Sequence, residues 1–220
     1  MSIFPQSTRP RWIEQQLVRR GIRDERVLDA FARVPREAFV PPEFRARALV
    51  DAPIPIGCRQ TVSQPFVIAL SLEALALQGT ERVLDVGTGS GYQAVLLSHL
   101  AAEVYTIEVH QRLYTTARLA IEQLAQAPVH TRCGDGSLGW PEAAPFDAIV
   151  AGACARKPPP SLLAQLAPGG RLVLPLGSED VQGLYLVTRR PDGTADKRLL
   201  ERVLFVPLVG REGSGFLPPD

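Results

Sequence analysis

At 220 residues the chain is long enough to bury one domain with a sizeable core. A composition of 45% hydrophobic and 21% charged residues, with a formal net charge of +1, is that of an ordinary globular protein and argues against nucleic acid as a partner recognised by bulk charge. No apolar run approaches the roughly 18 residues of a membrane span, and the first residues show no secretory signal, so a cytoplasmic protein is expected.

Residues 10 to 50 read as short helices. Ile13 and Leu17 lie one turn apart, Val27, Phe31 and Val34 follow at helical spacing, and Asp24 is a plausible N-cap. The first 50 residues hold ten Arg against six acidic side chains. An RNA-binding face is one account of that excess; arginines on the solvated side of short helices are the simpler one. Residues 51 to 64 contain Pro53 and Pro55 and are expected to run extended and loop-like. From Pro65 the run PFVIALSLEALAL is apolar enough for a largely buried helix.

From Arg82 the pattern alternates between strands and helices. Strands are predicted at 82 to 86, 104 to 108, 129 to 133, 146 to 151 and 171 to 175, with helices near 91 to 101, 111 to 125 and 160 to 167. Two further strands, GLYLVTRR and KRLLERVLFV, flank the turn Pro191-Asp192-Gly193. Seven strands, the first five alternating with helices, describe an open α/β sheet with an antiparallel edge. The tail GREGSGFLPPD is expected to be loose.

The most informative stretch is RVLDVGTGSGYQAVLLSHLAAEVYTIEV. A buried strand carrying Asp85 leads into Gly87, Gly89 and Gly91 and then a helix. Glycine at alternate positions lets the backbone turn sharply and approach a ligand. A dinucleotide fingerprint would read G-x-G-x-x-G and place a pyrophosphate on the helix. The G-x-G-x-G spacing with a preceding carboxylate suits a sulfonium nucleoside instead, because such a donor has no phosphate and carries an amine. Glu108, at the end of the next strand, can accept hydrogen bonds from two ribose hydroxyls. Asp135, between Gly134 and Gly136, can accept from an adenine amino group. Each carboxylate alone has a structural reading as a surface or turn residue; their order along successive strands favours nucleoside binding.

Cys58, Cys133 and Cys154 show no C-x-x-C pair, and His99, His110 and His130 share no motif, so neither a disulfide framework nor a metal site is expected.

With these motifs in place the chain resembles the protein-L-isoaspartate O-methyltransferases from about Gly21 to Gly210. The resemblance rests on Ile56-Gly57 with Gln60-Thr61-Val62-Ser63-Gln64-Pro65, then LDVGTGSGYQ, GDG, PFDAI, LAPGGRLVLPLG and FVPLV. It implies a Rossmann-like class I methyltransferase fold, with a mostly parallel seven-stranded sheet and an N-terminal helical extension. Residues 1 to 64 would supply the helices and a substrate-side loop, and 65 to 220 the methyltransferase domain, in one continuous unit. S-adenosyl-L-methionine would be held by Asp85, Gly87, Gly89, Glu108, Asp135 and Gly136, with Gly91 completing the glycine loop. The family's active-site serine matches Ser63, in a substrate segment with Thr61 and Val62. Isoaspartyl-containing proteins or peptides would be the partners, and the class of reaction would be protein repair; the sequence leaves the oligomeric state open, with a monomer favoured.

Cys58-Arg59 and the segment Ala153 to Pro160 depart from the family pattern, both where an acceptor peptide should pass. Ser63 also has a structural reading: it stands two residues before Pro65, where Ser is a favoured helix N-cap. RNA or small-molecule methylation, or binding of the donor without turnover, are the competing readings. The strand FDAIVA lacks the Asn- or Asp-Pro-Pro-aromatic motif that follows it in amino methyltransferases of adenine, which counts against base methylation.

Overall fold

A computed structural model of the chain describes residues 10–213. The described residues open with two helices, α1 (Arg11–Gln16) and α2 (Glu25–Arg33). Asp24 caps α2 as the sequence predicts, its carboxylate accepting from the backbone N–H of Arg26 at 2.8 Å. Ile13, Leu17, Val27, Phe31 and Val34 are buried on one apolar cluster. Of the neighbouring arginines, Arg20 and Arg23 are exposed and Arg26 half-buried, and each bonds within the molecule. Arg26 donates to the carbonyls of Leu77 and Leu100, Arg23 donates to Ile22, and Arg20 pairs with Asp51 and lies over the Phe66 ring.

Residues 51 to 64 are more ordered than a loop. They form the hairpin β1 (Ile54–Gly57) and β2 (Gln60–Val62), whose tip, Cys58-Arg59, has φ of 49° and 57°. A two-residue hairpin turn with both φ positive normally calls for Asn or Gly, so this sequence gave no hairpin signal. Helix α3 (Pro65–Leu75) follows, buried as its composition demands.

The strands β3 (Arg82–Val86), β4 (Glu103–Glu108), β5 (Val129–Cys133), β6 (Phe146–Ala151), β7 (Leu166–Gly177), β8 (Gln182–Arg189) and β9 (Ala195–Val203) make one sheet in the order β5-β4-β3-β6-β7-β8-β9. The pairs from β5 to β7 are parallel; β7-β8 and β8-β9 are antiparallel. Helices α4 (Tyr92–Ser98), α5 (Gln111–Leu124) and α6 (Pro160–Ala164) lie in the crossovers. The Pro168-Gly169-Gly170 turn falls inside β7, as an irregularity in its pairing with β6.

Both faces of the central strands are covered, which is why they read as continuous apolar runs. Val83, Ala148, Val150 and Val173 face a cluster shared with α1 to α4. Leu84, Val86, Ile149 and Leu172 face a second cluster that includes Leu162 of α6. Lys197, Arg198 and Glu201 stand exposed on the edge strand β9, a charged edge that resists pairing with another chain. The order of strands reverses between β3 and β6, and the crevice outside their carboxyl ends is where open α/β sheets bind ligands. No helix among the described residues is long and apolar enough to cross a membrane.

Candidate active site

The glycine loop leaves β3 at that crevice. The N–H groups of Gly87 and Thr88 both donate to the Ile107 carbonyl, at 2.8 and 3.1 Å, which bends the chain back along β4. Gly87 and Gly89 have φ of +92° and +56° and line the cleft. Gly91 (φ +88°) serves packing: a Cβ there would meet Ile121 Cγ1 at 3.1 Å, on α5. The three glycines thus differ: the first two line the cleft, and the third packs against α5.

Asp85 sits behind this loop, 0% exposed. Its carboxylate accepts from Gln93 Nε2 and Thr106 Oγ1, each at 2.8 Å, and Thr106 in turn contacts Thr88 Oγ1 at 2.6 Å. The network ties β3, the loop, α4 and β4 together. Burial lifts the Asp85 pKa to about 7, with the charge of Glu108 adding to the rise and the two side-chain hydrogen bonds opposing it. Asp85 therefore holds the loop from behind and does not line the cleft.

Glu108, which ends β4, does line it. One oxygen accepts from the Gly89 N–H at 2.8 Å and the other from the His110 N–H at 2.9 Å, so the carboxylate is fixed against the loop. Gly136 lines the same cleft, and a Cβ there would come within 2.8 Å of Val86 Cγ1. Asp135 is turned into local structure. It accepts from Ser137 N at 2.9 Å and Ser137 Oγ at 2.6 Å. It also accepts from the Arg211 N–H at 2.8 Å.

Three clefts join along this edge. One of about 540 Å³ runs beside Glu108 and Gly136, one of about 350 Å³ reaches between Ser90 and Tyr92, and one of about 1340 Å³ opens toward Pro53 and Phe205. Thr61 and Gly152 line all three, and Ser63 lines the second and third. Val62 turns its side chain into the core. The N-cap role open to Ser63 is not taken: Gln64 occupies the cap position, and the Asp51 carboxylate accepts from the Phe66 N–H at 2.9 Å instead. Ser63 thus makes no cap and stands where the clefts meet.

Several residues of the site were not named as site residues from the sequence, although Gln60, Gln93 and segment 206 to 209 lie in motifs that carry the resemblance. Gln93 and Thr106 hold Asp85 from different elements. Segment 206 to 209 forms a wall of the first cleft, placed there because the Cys154 N–H and carbonyl bond the backbone of Val206 and Leu208 at 2.8 and 2.7 Å. Gln60 reaches across from the hairpin, its Nε2 3.4 Å from His110 Nε2. Of the two departures from the family pattern, Cys58-Arg59 makes the hairpin tip, and Ala153-Cys154 lies beside the 206 to 209 segment.

Comparison with known proteins agrees with this geometry. The chain is 52% identical over 199 residues to a protein-L-isoaspartate O-methyltransferase of Marinobacter nauticus, covering 90% of this chain and 91% of the relative. It is 56% identical over 191 residues to one from Anaeromyxobacter dehalogenans, covering 86% and 91%. Among solved structures, a Plasmodium falciparum protein described as a protein-L-isoaspartate O-methyltransferase, in complex with S-adenosyl-L-homocysteine, superposes with a TM-score of 0.78 at 28% identity. That match covers 90% of this chain and 96% of the other. The sequence model of the family described as protein-L-isoaspartate(D-aspartate) O-methyltransferase matches residues 9–213, and the chain belongs to that family.

Proposed function

We propose that the chain transfers a methyl group from S-adenosyl-L-methionine to the carboxylate of L-isoaspartyl residues in damaged proteins or peptides, and so initiates their repair. The observation that carries this reading is the junction of the clefts, where Thr61 and Ser63 stand between the glycine loop and the wide opening toward Phe205.

The residues present fit the donor. Gly87, Gly89 and Gly136 line one wall with no side chain of their own, and at Gly136 a Cβ would clash with Val86. Glu108 is held with both oxygens at the cleft edge, placed to accept from ribose hydroxyls. The third cleft is lined by the hydroxyl residues Thr61 and Ser63, with no histidine or carboxylate among the described residues beside them. Such groups orient an anion rather than remove a proton. A side-chain carboxylate, with a reference pKa of about 3.9, arrives already ionised and needs no base.

S-adenosyl-L-methionine, when bound, supplies an activated methyl group on a sulfonium. The chain's part is to align that group with the acceptor oxygen and to exclude water. Positioning of this kind can contribute roughly 7–11 kcal/mol to lowering a barrier. Ser63 is assigned as the hydrogen-bond donor that orients the acceptor carboxylate, with Thr61 beside it. Asp85 supports the site indirectly by fixing the loop, and Asp135 shapes the turn that carries Gly136. The reading extends to a cytoplasmic protein whose partners are isoaspartyl-containing proteins and peptides, consistent with its ordinary composition and charge.

The test is donor-dependent methylation of a synthetic peptide containing isoaspartate, beside its Asp and Asn counterparts. Methylation of the first alone is expected. Donor binding by calorimetry with no turnover of the isoaspartyl peptide would overturn the assignment of acceptor.

A further inference from the structure

Arg36 is the largest fully buried side chain among the described residues, 1% exposed, in the short turn Arg36–Phe39 that precedes the hairpin. Its Nη1 donates to the carbonyls of Ala48 and Val50, the latter at 3.2 Å. Its Nη2 donates to the Ala52 carbonyl at 3.1 Å and to the Ser63 carbonyl at 3.0 Å. Its guanidinium lies 6.0 Å from the centroid of the Tyr92 ring, and Tyr92 begins the helix that follows the glycine loop. One side chain thus joins the segment before the hairpin, the residue at the mouth of the acceptor cleft and the helix behind the donor loop.

The four hydrogen-bond acceptors are neutral carbonyls. The nearby Asp51 carboxylate is engaged with Arg20, Gln64 and the Phe66 N–H. Arg36 Nε and the Tyr92 hydroxyl are buried without a hydrogen-bond partner among the described residues. Burying a cation this way is costly compared with apolar packing of similar volume, so the arrangement calls for a reason other than stability. The acceptor assigned above is an anion bound next to Ser63.

We infer that Arg36 is a positioning residue for the acceptor carboxylate, fixing the backbone of Ser63 so that its hydroxyl faces the cleft and supplying a buried positive charge behind it. The inference rests on the isoaspartyl reading, which the wild-type peptide assay decides by itself. The bond at 3.0 Å fixes the Ser63 carbonyl, and with it the backbone from which the side chain departs. A fixed charge in a poorly solvated wall acts over a longer distance than one in water. Arg36 acts through Ser63 and through its field, with no contact to the donor.

Steady-state kinetics on Arg36→Lys and Arg36→Gly, with calorimetry of donor binding on the same proteins, test this. The expected result is a KM for the isoaspartyl peptide raised tenfold or more in Arg36→Gly, and severalfold in Arg36→Lys, with donor Kd within twofold of wild type. Millimolar guanidinium should lower the KM of Arg36→Gly again, and urea, a neutral molecule of the same shape, should not. The Arg36→Lys effect should largely vanish in a Ser63→Ala background, since the two residues act as a unit. Should Arg36→Gly not fold, the Lys variant and the double mutant carry the test. An unchanged KM in a folded variant would overturn the inference. So would peptide KM and donor Kd worsening together, rescue by urea equal to that by guanidinium, or effects of Arg36→Lys and Ser63→Ala that simply add.

Discussion

Asp85 and Glu108 stand near the ends of adjacent strands and look alike in the sequence, but the fold gives them different work. Asp85 is sealed behind the glycine loop by Gln93 and Thr106, while Glu108 presents its carboxylate at the cleft. Local spacing made both residues legible as site positions, because a strand that ends in a glycine turn brings its last side chains to the carboxyl edge of the sheet. It could not tell which would face the ligand, since Gln93 and Thr106 come from α4 and β4. Ser63 shows the same limit. Its position before Pro65 allowed a helix cap, and only the fold shows that Asp51, twelve residues earlier, supplies that bond. Freed from capping, Ser63 is expected to matter to the acceptor alone. A hydrogen bond to a charged group contributes about 1.5–3 kcal/mol, so Ser63→Ala should lose roughly 10- to 100-fold in kcat/KM for an isoaspartyl peptide. Calorimetry should find its donor affinity unchanged; a loss of donor binding equal to the loss of turnover would remove Ser63 from the acceptor's side of the site.

Among the elements, those written in period and punctuation were legible: the buried helix from Pro65, five parallel strands and the antiparallel edge. The two that were not are the hairpin and the start of the carboxyl-terminal tail, and both touch the site. The hairpin turn places Cys58 and Arg59 at φ of 49° and 57° with no glycine in either position. An L-residue held left-handed costs roughly 1–2 kcal/mol, of which the extra flexibility of a glycine cancels about half. Arg59→Gly should therefore raise stability by about 0.5–1 kcal/mol, seen as a melting temperature higher by roughly 1–4 °C for a domain of this size. A lower melting temperature would mean that the Arg59 side chain makes contacts worth more than the strain. Of the tail, expected to be loose, residues 214 to 220 lie outside the described residues, and the part before them docks. The Arg211 N–H bonds Asp135 at 2.8 Å, the Glu212 N–H bonds Ser137 Oγ at 3.0 Å, and the Glu212 carboxylate accepts from Ser161 N and Oγ, both at 2.8 Å. No periodicity announces such a strap, because its partners lie some 50 to 75 residues away and are single polar groups. Gly210 has φ +141°, and a Cβ there would overlap the Asp135 carboxylate. Gly210→Ala should cost about 1–3 kcal/mol and weaken donor binding through the displaced turn at Asp135 and Gly136. A variant with wild-type melting temperature and donor Kd would show that the strap is incidental.

For the molecule as a whole, the amino-terminal helices and the sheet share one apolar cluster, from Ile13 and Phe31 to Val83 and Val173. That core is what seals Asp85 from water, and it links stability, pH and donor binding. Unfolded, Asp85 would titrate near its reference pKa of about 3.9, whereas burial holds it at about 7 in the folded chain. Between those values the folded chain carries a proton that the unfolded chain has released. The unfolding free energy therefore slopes downward with pH across this window: the contribution of Asp85 to stability is complete below about pH 4 and lost above about pH 7. A donor bearing a positive sulfur favours the ionised carboxylate, so binding below about pH 7 has to expel that proton and is weakened by doing so. Since ligand stabilisation follows RT ln(1 + [L]/Kd), the rise in melting temperature produced by a fixed donor concentration should grow from about pH 5.5 to about pH 7.5. The Asp85→Asn protein, with no proton to release there, should show a smaller rise that is level across the same range. Parallel pH profiles in the two proteins would place the titrating group elsewhere and leave Asp85 a purely structural part of the loop.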